Sequence, residues 1–378
     1  MNRIAWKASL LAAFGLAIFF GARSLRLSPN GGREWVFDEP AYTPEATSED
    51  FRQETLSVAD AVLRAFPNRT ASLAVSARVE YSLGHSAKAK ELWQQAAQLD
   101  ADFANAYFAL GKIAKDEANY DKAVELLGQA MRLAPLDPHT PPLLAQALME
   151  SRRFEEAIDV LRRYMSNQKA TPKAVLNLAR SYVETGQDEK ARITFEAMVE
   201  NYRDEPSALS AASYSLFQLY TRLGKPEKAD ENHLAFLKHK PKDAEIIADS
   251  QKYQDIDWLR NLLVKTLWES GQAYHEYGNM EKTEESWQRA AHLDPEHTEC
   301  RTELLELYEQ IDRDHDHDAL VIASQLSTIE PMNPDHWRNV GLLKGRLGQL
   351  EDAREALKRA MRLDPGNPSY REILEMLN

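Results

Sequence analysis

The side chains best equipped for chemistry crowd into one stretch, Asp312-Arg313-Asp314-His315-Asp316-His317-Asp318. Alternating acids are what a calcium loop supplies. Here, however, His317 stands where such a loop needs glycine for its sharp turn, and Ala323 where it needs a bidentate Glu. The expected reading is an exposed acidic turn, with an adventitious His/Asp metal site as the alternative. His292 and His297 flank Asp294-Pro295 with no third ligand near in sequence, so they read as two separate surface histidines. His233 reads as a packing or surface residue. The single cysteine, Cys300, has only Arg301 as a charged activator beside it and reads as a buried inert thiol. One cysteine permits no internal disulfide and no multi-cysteine metal site. Zincin, nucleophile-elbow and P-loop patterns are absent, and Gly341, Gly345 and Gly348 fit a packed helix and its turn. No catalytic residue, cofactor or metal is expected. The balance of 59 acidic against 46 basic side chains leaves −13, which argues against non-specific nucleic-acid binding.

A different constellation emerges from spacing. Arg78, Lys112, Gln146 and Arg180 fall 34 residues apart, which is a ladder of long hydrogen-bond donors. Something periodic must hold them. The stretch 104–137 carries two helical patterns: Tyr107, Leu110, Gly111 and Ala114, then Tyr120, Ala123, Leu126, Leu127 and Ala130. Small residues at Gly111 and Ala123 would let the two helices approach closely. Pro135 ends the pair. The same phase recurs at Pro67, Ala101, Pro135, Lys169 and Arg203, and at Ala89, Ala123, Ala157 and Ala191.

This pattern resembles the tetratricopeptide repeat, a 34-residue helix–turn–helix unit. The resemblance implies an all-helical solenoid wound as a right-handed superhelix. About eight repeats begin near Thr70, Ala104, Pro138, Pro172, Ser210, Val264, Cys300 and Pro334. The last carries Trp337, Gly341, Gly348, Ala353, Leu357, Ala360 and Pro365. Trp93 and Trp287 occupy equivalent core places. Four extra residues are expected in the connection 201–209, and an insert or hinge over 242–263, read as an added helix plus a lengthened first helix. The expected organisation is therefore 47–69 as a lid helix, 70–241 as five repeats, 242–263 as the insert, 264–367 as three repeats and 368–378 as a capping helix. Thr47 or Ser48 should cap the lid, and Ser369 with Glu372 the last helix.

In the family the ladder position faces the concave groove. The resemblance thus implies a partner-binding row of Arg78, Lys112, Gln146 and Arg180, continued by Gln218 and Gln272. Phe108, Leu176, Tyr214 and Trp268, four residues earlier in their repeats, would add apolar contacts. The implied partner is a protein or peptide segment of acidic character, with no nucleic acid. A carboxylate clamp of the kind some members carry is incomplete. Lys173 and Asn177 fit it, but Pro142, Gln146, Ala211 and Ser215 do not.

Residues 1–26 read as a signal-anchor. The run 8–22 is uncharged, Arg3 and Lys7 precede it, and Arg23 and Arg26 follow. Extending it to Ile4 gives a short membrane span over 4–22, with Trp6 as an interfacial anchor. Residues 27–46, with Pro29, Gly31, Gly32, Pro40 and Pro44, read as a linker. The expectation is a single-pass anchor with the solenoid outside the cytosol, in a bacterial periplasm or at the cell surface; secretion after signal cleavage is the alternative. The expected function is a non-catalytic, membrane-anchored scaffold. Its alternatives are an accessory or targeting subunit of an envelope-biogenesis, glycosyltransferase or cytochrome-assembly complex, an RNA-binding helical repeat, and a self-associating structural scaffold.

Overall fold

A computed structural model describes residues 46–167, 170–240, 256–311 and 315–376. The expected anchor and linker, and the first part of the insert, lie outside the described residues. Among the described residues every regular element longer than a turn is a helix, and no helix is long and apolar enough to cross a membrane.

The lid comes first, as α1 (Ser48–Ala65). Thr47 caps it, in a reciprocal box with Asp50 at the third helical position. Its buried residues, Phe51, Thr55, Ala59 and Val62, recur on one face. Five pairs follow: α2 (Thr70–Ser82) with α3 (Ser86–Leu99), α4 (Ala104–Asp116) with α5 (Tyr120–Leu133), α6 (Thr140–Glu150) with α7 (Phe154–Asn167), α8 (Pro172–Glu184) with α9 (Asp188–Asn201), and α10 (Pro206–Arg222) with α11 (Pro226–His239). Then come α12 (Ile256–Glu276) with α13 (Met280–Leu293), α14 (Thr298–Ile311) with α15 (Asp316–Ile329), α16 (Pro334–Arg346) with α17 (Leu350–Leu363), and the terminal α18 (Ser369–Met376). The chain divides into two compact units, Thr47–Ala273 and one holding Tyr274–Asn378.

The second helices α3, α5, α7, α9, α11, α13, α15 and α17 are all 14 residues long. The first helices vary. The four extra residues of the fifth repeat extend α10 to 17 residues, against 13 in α8, and so add a helical turn to what was expected to be a connection. The lengthened first helix after the insert is α12, of 21 residues. At the C-terminus the cap is not the expected one. Asn367 accepts from the Ser369 backbone N–H at 3.1 Å and from its hydroxyl at 2.8 Å, so Ser369 is already the first helical residue.

Within a pair, helices touch because the contacting residues are small. A Cβ on Gly111 would sit 2.7 Å from the Cγ of Leu127, and one on Gly341 would sit 2.7 Å from the Cγ of Leu357. Ala123 is fully buried in the same crossing as Gly111. The turn between paired helices needs one residue in the left-handed region, where its N–H and the next one close the first helix. Glycine fills it at Gly84, Gly186, Gly224, Gly278 and Gly348; Ala118 and Arg152 fill it at φ 58° each. An apolar core runs without a break from Ala114 to Ala229, with Trp93 in the neighbouring cluster of α2, α3 and α4. Trp287 is core too, at 1% exposure.

Candidate functional site

Each ladder residue sits on a first helix: Arg78 on α2, Lys112 on α4, Gln146 on α6, Arg180 on α8, Gln218 on α10 and Gln272 on α12. Among these helices α4, α6, α8 and α10 touch one another in succession, which sets their rungs side by side.

The rungs are not equivalent. Lys112 is exposed and places its ammonium 4.7 Å from the ring centroid of Tyr81, one repeat earlier. Arg180 and Gln218 are exposed and have no hydrogen bond, ion pair or ring contact among the described residues. Phe108 and Leu176 are half-buried, packed on the central core, so they serve the fold as well as the surface. Tyr214 is 40% exposed. Its ring stacks obliquely on Phe236 at 5.1 Å and Phe217 at 6.2 Å, and His233 lies 4.8 Å from Phe217. This aromatic cluster ties α10 to α11 and leaves the tyrosine edge open. Gln146 and Trp268 are half-buried, and Gln272 is exposed.

Arg78 differs from all of these. Its side chain is only 20% exposed, and its Nη1 donates to Glu269 Oε1 at 2.5 Å, with a second contact from Nη2 to Oε2. Glu269 lies on α12, 191 residues later. Burial pulls the Arg78 guanidinium below its ordinary range and, despite the cation, pushes the Glu269 carboxyl up. Desolvation therefore outweighs attraction at both ends. Nothing in the 34-residue period signals this contact.

Several residues expected at the surface are buried instead. Asp316 and Asp318 are 7% and 6% exposed, in the first turn of α15, so this part of the acidic stretch is not an exposed turn. Asp316 pairs with Arg346 of α16 at 3.3 Å, and the first turn of a helix favours negative charge. Residues 312–314 lie outside the description, and the described residues contain no group of three or more metal-ligating side chains. His315 stacks on Tyr308 at 5.7 Å. His297 is not a free surface residue: its Nδ1 accepts the backbone N–H of Cys300 at 3.2 Å, which caps α14. Cys300 is fully buried, and that burial pushes its thiol far up, as an inert cysteine should be.

Two features escaped sequence reasoning. Arg301 is 3% exposed and donates to the carbonyls of Ala291 at 2.8 Å, His297 at 2.9 Å and Asp294 at 3.1 Å, and to Gln325 at 3.0 Å. It thereby neutralises the carbonyl end of α13. A second device recurs in both units. Tyr220 donates to Glu196 at 2.6 Å, and Tyr308 donates to Glu284 at 2.9 Å, each across 24 residues. Each joins the second helix of one repeat to the first helix of the next. The matching separation was the available signal.

These features define a helical-repeat protein with an open row of side chains and no catalytic cluster among the described residues. Tetratricopeptide-repeat family models match residues 75–138, 114–174, 173–204 and 337–367, so these stretches are tetratricopeptide repeats. Protein CTR9 homolog of Arabidopsis thaliana is 24% identical over 339 residues, covering 85% of this chain; the chain spans 29% of that relative's length. Among solved structures, YrrB, described as a TPR protein with an unusual peptide-binding site, aligns with TM-score 0.43 and 18% identity over 51% of this chain and 99% of its own. MamA aligns with TM-score 0.40 and 19% identity over 44% of this chain and 95% of its own.

Proposed function

We propose that the chain is a non-catalytic scaffold that docks a protein segment along its first helices. One observation carries this: Arg180 and Gln218 stand exposed and unpaired on adjoining first helices, beside the open edge of Tyr214. A guanidinium offers a planar fork of donors, an amide adds two more, and a half-exposed aromatic supplies contact area at low entropic cost. The complement is a segment with carboxylates set among apolar residues. Lys112 extends the cationic row towards α2. We further propose that residues 4–22 tether the protein to a membrane with the repeats outside the cytosol. Resistance to alkaline extraction from membranes, lost when 4–22 are deleted, tests the tether.

The docking test places a photoreactive residue at Gln218 in the full chain, in its native membranes. Lys112→Glu with Arg180→Glu should cut the main crosslinked product at least tenfold, at unchanged helicity. A product that survives both reversals at full yield overturns the assignment of the groove.

A further inference from the structure

Arg78 is the first rung of the ladder, yet it is already taken. The helix that takes it, α12, is buried to the same degree as most other first helices. Among those helices α2 and α8 each bury seven of 13 residues, and α10 nine of 17. In α12 the fully or nearly buried positions include Leu259, Leu262, Leu263, Val264, Thr266, Leu267, Ser270 and Ala273. At 100° per residue these span an arc of about 200°, as the buried residues of α2 and α8 also do. A helix packed on a single neighbour needs an apolar stripe only a little over 100° wide. The portion of α12 within the Thr47–Ala273 unit is therefore covered on two sides, as those helices are; what sets it apart is that its Glu269 meets Arg78, at the ladder position that in α4 and α8 stands exposed.

The contact is also imperfect in a telling way. One carboxylate serves the whole guanidinium, and Arg78 Nε has no hydrogen-bond acceptor. Lys265, one turn earlier on α12, stands 4.0 Å from the same carboxylate and competes for it. Buried pairs that desolvation disfavours add little net stability, but they discriminate strongly against a wrong occupant. A neutral or basic residue in place of Glu269 would leave a guanidinium buried and uncompensated.

We propose that α12 is a resident internal ligand: its 256–273 portion occupies the surface at the first rung, held by Arg78–Glu269, and blocks that rung until displaced. This deepens the docking reading and rests on it in one respect, that the ladder position is a binding position. It also states the chemistry of a competitor. To replace α12 at Arg78, a partner must be an amphipathic helix with a carboxylate two turns from a leucine, as Glu269 stands to Leu262, and one turn from a small apolar residue, as it stands to Ala273. The free rungs at Arg180 and Gln218 admit a partner first, and Arg78 joins only when α12 yields.

Hydrogen exchange of the 256–273 amides in the full chain tests this. Glu269→Arg, which sets two cations against each other, should raise exchange there by about tenfold or more. The swap Arg78→Glu with Glu269→Arg should restore protection. A fluorescent peptide of sequence 256–273 should bind the Glu269→Arg chain, whose Arg78 is free, at least tenfold more tightly than the unaltered chain. It should not bind Arg78→Glu. If Glu269→Arg loses global helicity, Glu269→Gln gives the same readout with a smaller rise. Unchanged exchange in the single variants, or no peptide binding to the opened chain, overturns the proposal. The two readings separate cleanly: Arg180→Glu should remove the Gln218 crosslink without altering α12 exchange, and each result stands or falls without the other.

Discussion

Two buried guanidinium groups show how differently the two units use the same residue type. Arg301, in the C-terminal unit, is held by three backbone carbonyls and one side-chain amide, all within 24 residues of it in sequence. Arg78, in the N-terminal unit, is held by a single carboxylate 191 residues away. Arg301 uses partners that exist wherever α13 ends, so it cannot be released without unfolding that end. The partner of Arg78 belongs to another helix, which can leave. The first is a structural clamp, and the second is a contact that can be exchanged. Both are drawn down from the ordinary arginine range by burial, so burial alone does not tell them apart. The number and source of the acceptors do.

The sharpest way to break the comparison is Arg301→Ala. It strips three carbonyls of their donor and opens a cavity, and it should cost about 3 kcal/mol, read as a lower denaturation midpoint of the C-terminal unit. A loss under about 1 kcal/mol would mean that water replaces the guanidinium and that Arg301 is no clamp.

The helix crossings should respond alike in both units, because Gly111 against Leu127 and Gly341 against Leu357 have the same 2.7 Å clearance for an added Cβ. Gly111→Ala and Gly341→Ala should each cost about 1–3 kcal/mol by thermal denaturation. Unequal costs would show that one pair of helices yields where the other does not.

Tyrosine offers a pH-dependent version of the comparison. Tyr308 is buried, lies near Glu284 and Asp318, and donates to Glu284; together these push its hydroxyl far above the ordinary tyrosine range. Tyr220 is shifted upward as well, first by burial and then by Glu196. A raised folded-state pKa means the stabilisation is complete below about pH 10, the unfolded tyrosine value, and is lost as pH rises beyond it. Tyr308→Phe should cost about 1–2 kcal/mol at neutral pH, since it leaves Glu284 and Gln288 short of a partner. It should also flatten the fall in urea midpoint between about pH 9 and 11.

The smallest effect is a gain. Ala118 holds a left-handed turn that glycine holds at five other turns. Ala118→Gly should raise stability by about 0.5–1 kcal/mol in chemical denaturation, since the strain of a Cβ at positive φ exceeds the extra freedom glycine brings to the unfolded chain.

Those turns also show what kind of feature can be read from a sequence. Gly84, Gly186, Gly224, Gly278 and Gly348 mark themselves, because glycine is the cheapest residue in the left-handed region. Ala118 and Arg152 adopt the same conformation only because the helices on both sides are fixed by packing, and their side chains carry no trace of it. Asp316, Asp318 and His297 were misjudged for a related reason. Charge and polarity suggest exposure, yet a helix N-terminus and a neighbouring arginine can hold an acid inside, and a ring nitrogen can cap a helix from a half-buried place.

By itself the sequence determined the repeat, its 34-residue period, the small residues at Gly111 and Ala123 and a side-chain cap at Thr47 or Ser48. All of these are local: periodicity reports which face of a helix is apolar, and in a repeat array each unit packs mainly on its neighbours. Lys112 and Arg180 follow from that period, Gln218 from the same place in a repeat four residues longer, and their place on a groove from what the family resemblance implies. What the tertiary structure decided is which rungs are open. Whether Arg78 meets solvent or Glu269 is decided by a contact across 191 residues, which no spacing between adjacent repeats encodes.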